Sequence, residues 1–386
     1  MRLDRVWRSV IIGWMMGLFL LGQGNAQAAA APKEDLAVRG VAGILGDVDT
    51  GYLMYDLNVD QRIAPASLTK IMTLYLIYEA LAKGDLKLDQ NVPVSENAWR
   101  MSGSKTFVKV GDQVKVEDLI QGIAVQSGND ACVVLAEHLG GSEKGFADMM
   151  NNKARQLGMT GSHFVNATGL PESDHLVTTR DLFILASALI RNFPQFGHFV
   201  REKQYTFNGI TQHNRNRLLW RDPSITGMKT GFTNDAGYCL IASSEKDNQR
   251  LVAVVMGAKN ARIREEDALR LIRYGQRVFE TVRMYEAGAV VRSFKVWKGE
   301  TDKVDGVVKD PFVVTVTRKD RPNLEVGLSY TEPMVAPIAA GGELGTLVAK
   351  VGEKEVLRRP MVAGKEVPEG GFFTRIIDSI RLRFGF

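Results

Sequence analysis

Cysteine is almost absent: Cys132 and Cys239 are the only two in 386 residues. That excludes a disulfide-framed scaffold and leaves either one bridge or two buried thiols. Blocks of lysine and arginine are missing from the interior, so nothing points to nucleic acid as a partner. The five histidines, His138, His163, His175, His198 and His213, show no zinc-ligand spacing. A glycine-rich phosphate loop is lacking as well, so no metal and no nucleotide cofactor is expected. Internal repeats and low-complexity tracts are also absent. The longest apolar run, Val10 to Leu21, is too short to cross a bilayer comfortably.

That run lies behind Arg2, Arg5 and Arg8 and ahead of the small-residue pattern Ala26-Gln27-Ala28, which reads as a cleaved secretory signal over residues 1–28. Losing the leader's three arginines and Asp4 lowers the formal charge from +5 to +3. The rest is long and apolar enough, at 45% hydrophobic composition, to make two domains. Alternation around Asp49 and Gly51 predicts two short strands. "LTKIMTLYLIYEALAKG" has helical spacing and a glycine stop at Gly84, which puts Ser67 at or just inside a helix N-terminus. Helical periods then dominate from Val116 to Phe193. Strands return at "KTGFTNDAGYCLIASSEKDNQRLVAVVMGA", with a turn among Glu245 to Gln249, and "IREEDALRLIRYGQRVFETV" reads as a helix. Early strands, a helical insertion and late strands imply one sheet assembled from both ends of a domain. Beyond about Met284 short alternating segments predict a small β-domain, and the end of the chain places Phe372, Phe373, Ile376, Ile377 and Ile380 on one helix face. The expected divisions are 29–284, 285–368 and 369–386.

Three segments carry chemistry. In "PASLTKIMT", Ser67 and Lys70 are three apart and share a helix face, so a lysine with a lowered pKa can take the serine proton. The same spacing also suits a serine N-cap with a snorkelling lysine, and it recurs at Ser102 to Lys105 and Ser243 to Lys246 without an apolar helix behind it. In "QSGND", Ser127 offers a relay hydroxyl, and the Asn129 amide can donate to a carbonyl and accept from an amine. In "MKTGF", Lys229 and Thr230 at the opening of a strand can hold a carboxylate, while Gly231 lets a ligand approach the backbone. Each segment alone also has a bland reading, a loop or cap residue for Ser127 and a solvent-facing strand end for Lys229.

In this order, the three segments resemble the Ser-x-x-Lys, Ser-x-Asn and Lys-Thr-Gly trio of the penicillin-recognising serine enzymes. "PASLTKIMT", "VQSGNDACVVLAE", "NRNRLLW" and "GMKTGFTNDAGYCL" are most similar to the low-molecular-mass D-alanyl-D-alanine carboxypeptidases, over nearly the whole mature chain. The resemblance implies an α+β fold, with a penicillin-binding-protein sheet flanked by helices, a helix-rich lobe, a β-rich second domain and an amphipathic C-terminal helix. It implies that Ser67 is the acylated nucleophile, Lys70 its base, and Ser127 and Asn129 the second motif. Lys229, Thr230 and Gly231 form the third motif, and Arg215 binds the substrate's terminal carboxylate. The backbone N–H groups of Ser67 and Phe232 would form the oxyanion hole. Two features depart from relatives: Phe232 stands where well-known members have histidine, and no Glu-containing deacylation loop of the class A β-lactamase kind is visible.

The implied reaction is removal of the terminal D-alanine from peptidoglycan stem peptides, with β-lactams as acylating inhibitors and no cofactor. The competing readings are a β-lactamase, which would hydrolyse the drug ester quickly, and a membrane-tethered peptidoglycan scaffold without turnover. Leader and tail together imply a periplasmic protein, attached peripherally to the outer face of the inner membrane through the 369–386 helix.

Overall fold

The computed structural model describes residues 36–384; the expected leader lies outside them. The chain divides into two compact units between Arg277 and Val278.

The first unit is built on a five-stranded sheet in the order Leu53–Leu57, Ala42–Asp47, Gln249–Ala258, Gly237–Lys246, Ile225–Thr233. Every neighbouring pair in it is antiparallel. As expected, strands from both ends of this unit share the sheet, because the helical insertion leaves and returns between Leu57 and Ile225. Both faces are covered. On the Ala42–Asp47 strand, Leu45 faces Gly275 of the Ala261–Val278 helix, while its neighbour Gly46 faces the Phe183 ring of the Thr179–Asn192 helix. With a side-chain period of two, one strand therefore feeds two cores, and its six residues are all buried. The Ile225–Thr233 strand is an edge, so one side of its backbone remains available beside the site.

The Lys70–Lys83 helix runs through the main core, buried along most of its length, and stops at Gly84 in a left-handed conformation. Cys132 and Cys239 are both buried and free.

In the second unit, Phe279–Tyr285 pairs with Phe312–Thr317. The helix expected to continue through "FETV" ends instead at Val278, where Phe279 and Val282 are buried as strand residues, Val282 in a cluster with Val314 and Val316. Aromatic and β-branched side chains suit that pleated surface better than a helix end. A six-stranded sheet and two small apolar clusters make up the rest, followed by the Phe372–Phe384 helix.

Candidate active site

Ser67 lies in a 3₁₀ turn, Ala66–Thr69, immediately before the helix that starts at Lys70. The expected position was at or just inside the helix N-terminus. The 3₁₀ turn serves the pair better, since three residues per turn eclipse positions i and i+3. Ser67 Oγ and Lys70 Nζ are 3.0 Å apart. The capping alternative is not adopted: the turn and the helix are preceded by Pro65 and Thr69, neither of which makes a side-chain cap. Ala66, next to the serine, has φ +47°, a left-handed conformation uncommon for a residue with a Cβ.

Lys70 is completely buried, and burial lowers its amine from 10.5 to about 8. Its three neighbours are informative. Asn129 Oδ1 and the Thr168 carbonyl each lie 2.7 Å away and can only accept, whereas Ser67 Oγ can also donate. A neutral amine has two N–H groups and one lone pair. The two acceptors can take both N–H groups of a neutral amine, whose lone pair is then free to accept from Ser67 Oγ, whereas the ammonium form donates to the same oxygen.

The Thr168 carbonyl is placed by a loop with its own scaffold. Asn166 Oδ1 accepts from the N–H groups of Thr168 and Gly169, and Thr73 Oγ1 donates to Ala167 O. Gly169 has φ +82° and touches the serine turn so closely that a Cβ would sit 1.8 Å from Ala66 O. Sequence reasoning missed Thr168, since a main-chain carbonyl leaves no signature.

Ser127 follows a π-helical turn, Gly122–Gln126, and adopts φ +68° before the Asn129–Gly140 helix begins. Its Oγ is buried without a hydrogen-bond partner among the described residues. Asn129 accepts from Lys70 through Oδ1 and donates through Nδ2 to Ser102 O at 2.7 Å. Asp130, also missed, accepts from the N–H groups of Thr106 and Phe107 and so holds the 102–108 segment against the site. An acid in the first turn of a helix, directly after the motif asparagine, was the available signal.

Lys229, Thr230 and Gly231 lie in the second half of Ile225–Thr233, not at its opening, and Lys229 is only 2% exposed. The solvent-facing alternative for Lys229 is thereby removed. Burial, with the charges of Lys70 and Arg215 adding to it, holds the Lys229 amine well below its usual range. Gly231 faces the serine turn: a Cβ there would lie 3.2 Å from Ala66 Cβ, Pro65 O and Ser67 N. Arg215, exposed, is anchored by Gln126 Oε1 at 2.5 Å from its Nε. Phe232 is 49% exposed and tilts against Tyr238 at 4.3 Å between centroids. Among the described residues Lys70, Lys229 and Arg215 form no ion pair. The result is a pocket of three basic side chains without a direct ion pair around a serine hydroxyl, suited to an anionic ligand that carries an acyl group. Among the described residues no group of three or more His, Cys, Asp or Glu is placed to hold a metal ion.

A family model described as D-alanyl-D-alanine carboxypeptidase, peptidase S11, matches residues 25–260, and one described as the penicillin-binding protein 5 C-terminal domain matches residues 279–369. D-alanyl-D-alanine carboxypeptidase DacC of Escherichia coli (strain K12) is 39% identical over 375 residues, 95% of this chain and 94% of that protein. Penicillin-binding protein 5 from Haemophilus influenzae superposes with a TM-score of 0.81 at 33% identity, covering 88% of this chain and 100% of that one. Penicillin-binding protein D2 from Listeria monocytogenes, solved in an ampicillin-bound form, gives 0.58 at 32% identity over 63% of this chain and 100% of that one. The chain thus belongs to the D-alanyl-D-alanine carboxypeptidase family, peptidase S11, and is a serine-type hydrolase of the penicillin-binding protein kind.

Proposed function

We propose that Ser67 Oγ attacks the carbonyl carbon of the penultimate D-alanine in a peptidoglycan stem peptide while its proton passes to Lys70 Nζ. The backbone N–H groups of Ser67 and Phe232 hold the oxyanion, and Thr230 with Arg215 holds the terminal carboxylate. Collapse breaks the peptide C–N bond. Ser127 relays the proton to the departing amine, so that free D-alanine leaves and an ester remains on Ser67. Water then attacks the ester, giving the shortened peptide and the free serine. Lys229 and Asn129 align the acyl chain beside the edge strand. A β-lactam enters by the same attack, with its ring C–N bond breaking in place of the peptide bond; the ampicillin-bound relative supports that extension. The observation that supports the mechanism is the hydrogen-bond shell of Lys70, two pure acceptors and Ser67 Oγ, which can satisfy a neutral amine whose lone pair accepts from Ser67.

The expected division into a peptidase domain ahead of residue 285, a β-rich domain to 368 and a terminal helix is supported in outline by the family matches over residues 25–260 and 279–369, with the change of domain set earlier, where the compact units part between Arg277 and Val278. For the helix, membrane attachment is the reading favoured. Phe372, Phe373, Ile376, Ile377 and Ile380 are all exposed, and Asp378 on the same helix accepts from Lys298 N at 2.6 Å, so polar atoms dock the helix and its apolar stripe is left uncovered. No helix among the described residues is long and apolar enough to cross a membrane. With the expected leader, this supports a reading in which the enzyme works outside the cytoplasmic membrane and is peripherally bound to it.

Intact-mass spectrometry after incubation with penicillin tests the mechanism. One adduct mapped to Ser67 is expected, with Ser67→Ala losing both the adduct and D-alanine release; labelling that persists in Ser67→Ala would refute it.

A further inference from the structure

Arg264 is a buried cation outside the three motifs. It sits near the start of the Ala261–Val278 helix, 8% exposed, and forms no ion pair among the described residues; its neighbour Glu265 is bound instead to Arg221 at 3.3 Å. Its Nη1 reaches two main-chain carbonyls, Gly231 O at 3.2 Å and Cys239 O at 3.4 Å, and its guanidinium lies 5.6 Å from the centre of the Tyr238 ring. Its Nε has no partner. A buried charge with no direct ion pair, favoured only through space by Glu265, is costly, and an apolar side chain of similar volume would serve stability at least as well. The two carbonyls belong to a cross-strand pair, Gly231 opposite Cys239, where the edge strand meets its single neighbour. Packing alone therefore does not account for a guanidinium at this position.

Gly231 supplies the reason. It must be glycine because a Cβ would press on Ala66, Pro65 and Ser67 N. The cost is a backbone position with unusual freedom in φ and ψ, next to the nucleophile. The C=O of Gly231 and the N–H of Phe232 belong to one planar trans peptide and point in opposite directions, so a group that fixes the carbonyl also fixes the N–H. A cation on that carbonyl also draws electron density from the amide and strengthens the N–H as a donor.

We propose that Arg264 is a positioning residue for catalysis: by holding and polarising the Gly231 carbonyl, it aims the Phe232 N–H at the oxyanion. The inference rests on the proposed reading in which Ser67 is acylated and Phe232 N–H is an oxyanion donor. Tyr238 completes the device. Its ring lies 5.6 Å from the guanidinium carbon and 4.3 Å from the exposed Phe232 ring, so it touches both the cation and the side chain that follows the glycine.

The test uses the full chain with Arg264→Met and Arg264→Lys. Removing an oxyanion donor costs about 100- to 1,000-fold, and misaiming one should cost roughly 10- to 100-fold. For Arg264→Met, kcat for D-alanine release and the saturating rate of penicillin acylation should fall by that factor. KM should stay within about threefold, and affinity for a peptide boronic acid, whose adduct on Ser67 is tetrahedral, should fall in parallel with kcat. Arg264→Lys, which keeps the charge but not the fork, should recover part of the loss. A folded Arg264→Met protein with wild-type kcat, or one whose whole defect is in KM, overturns the inference. If Arg264→Met does not fold, Arg264→Lys decides: reduced kcat at unchanged KM supports the role, and wild-type kcat overturns it. A wild-type chain that forms no adduct at Ser67 would overturn the underlying site reading as well, whereas an adduct at Ser67 with wild-type kinetics in Arg264→Met overturns only the role of Arg264.

Discussion

If Lys70 is the base, it must be neutral to act, and its burial sets where that happens. With the amine at about 8 instead of 10.5, roughly one-tenth of it is neutral at pH 7; at the ordinary value the fraction would be about 0.03%. Burial thus raises the reactive population by roughly two to three orders of magnitude, equivalent to about 3 kcal/mol. The sign follows directly. Acylation should increase about tenfold per pH unit from pH 6, bend near pH 8 and be level by pH 9. The assay is quenched-flow labelling with a fluorescent penicillin at saturation. Saturation removes the separate effect of Lys229, whose charge acts on capture and whose amine is also lowered by burial beside Lys70 and Arg215. A rate that is flat from pH 6 to 9 would show that Lys70 does not accept the proton. A rate that climbs in proportion to hydroxide as far as pH 10 would show that the buried shell does not lower the amine. Either result sinks the mechanism in which the lone pair faces Ser67.

Gly231→Ala introduces a Cβ at 3.2 Å from Ala66 Cβ, Pro65 O and Ser67 N. The serine turn must yield by a few tenths of an ångström, so acylation should slow about tenfold, since a 1 Å misplacement costs about 100-fold; unchanged stopped-flow kinetics would show that the turn moves freely. Deleting residues 371–386 should abolish co-sedimentation with anionic vesicles and leave penicillin labelling intact. The exposed Phe and Ile side chains are worth about 1.5–3 kcal/mol each when buried, whereas the lost Asp378 contact to Lys298 N costs only about 1 kcal/mol. Vesicle binding by the truncated chain would refute the anchor. His175 makes a 3.0 Å contact to Thr69 Oγ1, which itself donates to Ala66 O, and burial lowers the imidazole to about 4. The unfolded chain therefore binds a proton below about pH 6.5 that the folded chain refuses until about pH 4, and stability should fall by up to about 3 kcal/mol across that window. Urea unfolding of His175→Gln should show a shallower acid limb, and an identical limb would remove His175 as the cause.

What was legible in the sequence is local. The Lys70–Lys83 helix announces itself by apolar spacing and Gly84, and the Gly237–Lys246 and Gln249–Ala258 strands by a turn at Asp247 and Asn248. The class of chemistry was legible too, because Ser67 and Lys70 must share one turn to react and such a pair is written as a spacing. Less legible were element ends. The Ala261–Val278 helix was read past its end into Phe279–Tyr285, where pairing with Phe312–Thr317 overrides a helical period.

Several determinants of the site carry no spacing at all. The Thr168 carbonyl that takes one N–H of Lys70 is a backbone atom 98 residues away, delivered by a loop that Asn166 shapes. Arg264 reaches Gly231 from a helix 33 residues further on. The burial of Lys70 and Lys229 has the same origin, as it depends on helices and strands from distant parts of the chain closing over two amines. The sequence by itself determined which side chains are present, which turns and helices present them, and which reaction those groups can perform. Only the tertiary structure decided that Lys70 is buried, that Ser67 Oγ, Asn129 Oδ1 and the Thr168 carbonyl surround its amine, and that Arg264 reaches the Gly231 carbonyl. Solvation and main-chain direction are properties of the packed assembly, and no residue type encodes them.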